Sequence, residues 1–119
     1  MSDVLKAGKK HFKAKLTEEL QSIEVPEWKD DTDKPIKVYF KSSMRLSQKS
    51  ILLKHYQNDD FDKAIACQMI FRCKDENGKA LFTMNQIDQI IDDLDPDVCS
   101  RIVQKMDEAN PSQEEISGN

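Results

Sequence analysis

The sequence predicts an α+β fold, predominantly α-helical, with about four or five helices and a small N-terminal β-hairpin. Three observations carry this expectation. Apolar residues recur at helical spacing on both sides of the chain's middle, strict alternation replaces that spacing after Pro35, and helix-start devices stand at Thr83 and Asp95. At 119 residues, 38% hydrophobic and 34% charged, the chain fits one domain with a modest core. That domain is expected over residues 1–110, as a helix over 3–23, a hairpin over 24–41 and a helical part over 44–109.

In the first segment Leu5, Phe12, Leu16, Leu20 and Ile23 recur at sums of three and four, the period of an amphipathic helix. Pro26 and Pro35 then interrupt any helix. Ile36, Val38 and Phe40 alternate with Lys37, Tyr39 and Lys41, as in a half-buried strand. Its antiparallel partner is expected at Glu24, Val25 and Trp28, across an acidic loop. Ser43 or Ser47 is the expected cap of a helix carrying Ile51, Leu52, Leu53 and Tyr56. A further helix opens at Asp59 or Asp60 and buries a wide face of Phe61, Ala64, Ile65, Met69, Ile70 and Phe71. Thr83 and Gln86 have the form of a capping box before the stripe Met84, Ile87, Ile90, Ile91 and Leu94. Asp95-Pro96 starts a last helix through about Ala109, with Val98, Cys99, Ile102, Val103 and Met106 inward. The polar residues 111–119 are expected to be a disordered tail.

Composition and motif content exclude several chemistries. Residues 74–83, KDENGKALFT, imitate part of a calcium loop. With Gly78 as the sixth position, however, Cys73 takes the first and Met84 the twelfth, leaving too few oxygen ligands. A tight turn through Asn77-Gly78 is expected instead. Cys67, Cys73 and Cys99 form neither an even disulfide framework nor a C-x-x-C pair and read as reduced core thiols. With three glycines, no phosphate-cradling loop is present. The carboxylate pairs, such as Asp92-Asp93, sit in loops, caps and polar helix faces. No catalytic residue, metal ligand or cofactor is expected, and the net charge of −4 argues against a general nucleic-acid binder. No apolar run approaches the roughly 20 residues of a membrane span, so a cytoplasmic location is expected. The local exception is Lys6, Lys9, Lys10, Lys13 and Lys15, which flank the first apolar stripe. Those lysines keep a second reading open, a small DNA- or membrane-associated regulatory protein using a basic amphipathic helix.

The order of elements carries a resemblance. IEVPEWKDDTDKPIKVYFKSSM, then IACQMIFRCKDENGKALFT, then IDQIIDDLDPDVCSRIVQKM resemble the tail assembly chaperones of long-tailed bacteriophages over residues 22–109. The likeness lies in a V-P-x-W strand followed by a second strand and a methionine, a helix ending in a D-x-x-G-K turn with Leu-Phe after it, and a terminal Leu-Asp-Pro helix. The dense N-terminal lysines and the long acidic connection between the strands depart from that pattern. The resemblance implies a non-enzymatic protein of the host bacterial cytoplasm that coats the tape measure protein, helps gather tail tube subunits and is absent from the mature virion. A frameshifted longer form and homo-oligomers also fit such a role. The partner surface expected on this reading comprises Phe12, Leu16, Ile87, Ile91 and Met106, covering a partner helix by helix-in-groove contact, with no nucleic acid or membrane involved.

Overall fold

Alternation of apolar and polar residues sets the sheet on which the helices rest. In the computed structural model, which describes residues 2–16, 20–41 and 43–109, strand β1 (Gln21–Lys29) pairs antiparallel with β2 (Pro35–Phe40). Ile23 lies opposite Val38 and Val25 opposite Ile36. Ile23, Val25, Val38 and Phe40 are buried on one face, whereas Ser22, Glu24 and Lys37 are exposed on the other. Pro26 is tolerated because β1 is an edge strand whose register shifts between Val25 and Lys29. The connecting loop is closed by Asp30, whose Oδ1 accepts from the backbone N–H of Thr32 at 2.8 Å and of Lys34 at 3.1 Å.

Two expectations about this region are corrected. Helix α1 (Ser2–Leu16) is shorter than residues 3–23, and Ile23 belongs to β1. The spacing of Leu16, Leu20 and Ile23 matches a helix, but Ile23 and Val25 gain burial by alternating across the sheet. The sheet also has a third strand, β3 (Cys73–Lys74), which pairs with Phe40 and Tyr39 of β2. Two residues are too few to leave a periodic signature.

Helix α2 (Leu46–Gln57) begins at Arg45, not at Ser43 or Ser47, and the Arg45 backbone N–H donates to Gln48 Oε1 at 3.0 Å. Asp60 precedes helix α3 (Phe61–Arg72). This helix is the central one, burying Ala64, Ala66, Cys67, Gln68, Met69, Ile70 and Arg72, while Phe61 stands exposed beside Tyr56.

After β3 the chain turns on Asp75, whose Oδ1 accepts from the N–H of Asn77 and of Lys79, with Gly78 at φ +83°. The turn therefore closes a small β-bridge, Lys74 to Ala80, in addition to joining two helices. The Thr83 N–H donates to Gln86 Oε1 at 2.9 Å and opens a 3-10 turn (Met84–Gln86) that runs into α4 (Ile87–Asp93). Helix α5 (Pro96–Glu108) starts as expected, Asp95 Oδ1 accepting from Asp97 N–H. Its whole apolar stripe faces inward against α3 and β1. Arg101 holds Glu27 of the β1 bulge by a two-pronged ion pair, 2.7 Å on one prong, which keeps the Glu27 carboxyl down at about 2. Residues 111–119, the expected tail, lie outside the described residues.

Candidate functional site

Surface left over after the core has closed is where a partner must attach. The core joins the inner face of the sheet to α3, α4 and α5, and α2 adds Leu52. None of the side chains described in α1 is buried. Val4 is 75% and Leu5 61% exposed, so nothing in the described structure covers them. On α2, Leu46 is 80% and Leu53 60% exposed. They lie seven residues apart and so share one side of the helix.

Among those whose side chains are described, the residues expected to bind a partner do not form one surface. Phe12 is half-buried in an open hollow with Lys9, Lys10, Lys13 and Arg45. The Arg45 guanidinium sits 5.7 Å from the centre of its ring, within cation–π range. Leu16 ends α1, and its side chain lies outside the described residues. Ile87 and Ile91 are half-buried against the core. Ile91 also lines an apolar hollow of about 70 Å³ with Ile65, Ile90, Leu94 and Pro96. Met106 is fully buried and belongs to the interior rather than to any surface, because α5 turns its entire stripe inward.

Sequence reasoning missed a polar centre. Arg72 is 2% exposed. Its Nη1 donates to Gln68 Oε1 at 2.9 Å and to Asp107 Oδ1 at 2.7 Å, and its Nη2 donates to the Met106 carbonyl at 3.0 Å. Gln68 Nε2 donates in turn to Tyr56 Oη at 2.9 Å. The signal available in sequence was the i, i+4 pair Gln68 and Arg72, within and directly after the apolar run over residues 64–71 of the helix. Arg72 also lines a hollow of about 210 Å³ with Lys41, Ser43, Arg45, Gln48, Phe71, Lys74 and Gly78.

Nucleophilic chemistry finds little support in the thiols. Cys67, Cys73 and Cys99 are all buried, and burial raises each of their pKa values, Cys73 to about 12. Among the described residues no group of three or more His, Cys, Asp or Glu side chains is placed to hold a metal ion, and no helix is long and apolar enough to cross a membrane. Comparison with protein-family models, curated proteins and solved structures finds no match.

Proposed function

We propose that this chain is a non-enzymatic assembly chaperone of the phage-tail type, which shields apolar helical surface on a tape measure protein and helps tail tube subunits gather around it. It acts in the host bacterial cytoplasm and leaves before the virion matures. The observation that carries this reading is apolar surface left in solvent by a core that closes without it. Leu46 and Leu53 on α2, with Val4 and Leu5 on α1, offer short stripes to a partner helix. Phe12 and Ile91, each lining an open hollow, extend the surface. Many copies along one long helix would bind by avidity, with no single strong contact.

The test is co-expression with the tape measure protein of the same genome. The intact chain is expected to raise the soluble fraction of that protein, and the variant Leu46→Ser with Leu53→Ser to lose most of the gain. Because both side chains are largely exposed, the double variant should keep its stability to within about 0.5 kcal/mol per site. A tape measure protein equally insoluble with and without the chain overturns the proposal.

The basic rim of Lys9, Lys10, Lys13 and Arg45 around Phe12 favours a second reading, a regulatory protein held to DNA or an anionic membrane by α1. Salt-sensitive retention on heparin or anionic vesicles, abolished by changing Lys6, Lys9, Lys10 and Lys13 to glutamine, distinguishes it.

A further inference from the structure

Two surfaces of the described fold are opposite in charge and alike in exposing apolar side chains. On helix α1, Lys6, Lys9 and Lys13 follow at i, i+3 and i+7 along one flank of the exposed Val4 and Leu5. Helix α4 presents the reverse. Ile91 and Leu94 are half-buried at the apolar hollow of about 70 Å³, and the exposed Asp62 of α3 stands in its wall. Asp88 and Asp92, three positions before Ile91 and one after it, are exposed on one side of the same helix. The sequence has no lysine or arginine between Lys79 and Arg101, while Asp93, Asp95 and Asp97 add further negative charge there. Ion pairs between described residues are Lys29 with Asp33, Arg72 with Asp107 and Arg101 with Glu27, so none engages these lysines or the aspartates around the hollow.

We infer that α1 of one copy of this chain docks on the acidic apolar hollow between α3, α4 and α5 of a second copy. Leu5 enters the hollow with Val4 at its edge, and Lys6, Lys9 and Lys13 meet the rim of Asp62, Asp88 and Asp92. Opposite charge steers and orients the approach, and apolar contact holds it. The occupant is a second copy because the chain itself supplies the complementary helix, while its own α1 is engaged elsewhere, Phe12 lying against Arg45 at the start of α2. Each copy brings one arm and one hollow, so the contact is head to tail and either closes reciprocally in a pair or runs on from copy to copy. One face of a short helix makes a small interface, so the contact is weak and salt-dependent. Leu46 and Leu53 on α2 lie outside it and stay open to another partner.

Sedimentation velocity of the full chain over a range of concentrations tests the contact, in about 50 mM and about 500 mM sodium chloride. Concentration-dependent association is expected in the dilute salt and should weaken about tenfold in the concentrated salt. Leu5→Ser with Lys6→Gln and Lys9→Gln removes the arm, and Asp88→Lys with Asp92→Lys removes the rim. Each variant alone is expected to be monomeric. Mixed, the two are expected to form a one-to-one complex, because the first keeps its hollow and the second keeps its arm. All five positions are exposed, so both variants should fold. If the reversed charges unfold α4, Asp88→Asn with Asp92→Asn takes their place and is expected to weaken association. Leu46→Ser with Leu53→Ser should associate as the native chain does. Monomers at every concentration, association indifferent to salt, or a mixture that stays apart overturns the inference. Monomers that bind anionic vesicles through the same lysines also overturn it, putting a membrane in place of the second copy. Since no tape measure protein enters the experiment, its outcome is separate from that of co-expression.

Discussion

Cys73 shows how position alone can silence a reactive group. It sits on β3 opposite Phe40, fully enclosed, and burial pushes its thiol up to about 12 from an ordinary 9.0. Nearby cations, Arg72 first and Lys74 after it, act in the opposite direction but do not offset the desolvation. The consequence is a stability term with a definite sign. Between these two values the unfolded chain releases the thiol proton while the folded chain keeps it, so the contribution is complete below about pH 9 and is lost as pH rises toward about 12. Urea midpoints measured over that window should therefore fall more steeply for the native chain than for Cys73→Ala. The slope is the informative quantity, because removing the sulfur also leaves a small cavity that shifts the midpoint at every pH. Parallel slopes would mean that the thiol meets solvent in the folded state.

At the level of single elements, the Asp75 turn depends on one backbone conformation. Gly78 has φ +83°, and a Cβ there would meet only the Leu20 side chain at 3.8 Å. Space is therefore not the constraint. Gly78→Ala should cost about 1 kcal/mol in urea denaturation through backbone strain alone, and Gly78→Asn less, because asparagine tolerates this region better. The turn was legible in sequence through Asn77-Gly78, as were the Asp95-Pro96 start of α5 and the alternation of β2, because each rests on stereochemistry confined to a few adjacent residues. The end of α1 was not legible. Leu16, Leu20 and Ile23 satisfy the helical period, while the burial that makes Ile23 a strand residue comes from Val38, fifteen positions away. The start of α2 was missed for a related reason: Gln48 reaches back to the Arg45 backbone N–H, so the usual short polar cap is not needed.

For the molecule as a whole, periodicity finds apolar stripes but does not say which of them remain outside. The α5 stripe, Met106 included, is interior, whereas Leu46 and Leu53, which have no long regular stripe to announce them, stand in solvent. The same limit hid Arg72, whose partners arrive from 34 and 35 residues downstream. Through Gln68, this one guanidinium connects Tyr56 of α2 to Asp107 of α5 across α3. The four side chains should therefore behave as one unit. Asp107→Ala withdraws the carboxylate bonded to the buried Arg72 cation and should destabilise the chain by about 1–3 kcal/mol. The loss stays below that of a fully enclosed ion pair because Asp107 is partly exposed and Gln68 and the Met106 carbonyl remain in place. Tyr56→Phe removes the acceptor at the far end of the chain of bonds and frees Gln68 to reorient. A double-mutant cycle between these two changes should then give a coupling of at least about 0.5 kcal/mol, although the two side chains make no direct hydrogen bond to each other. Strict additivity would show that α2 and α5 attach to α3 independently, and that the buried arginine serves only its own neighbourhood.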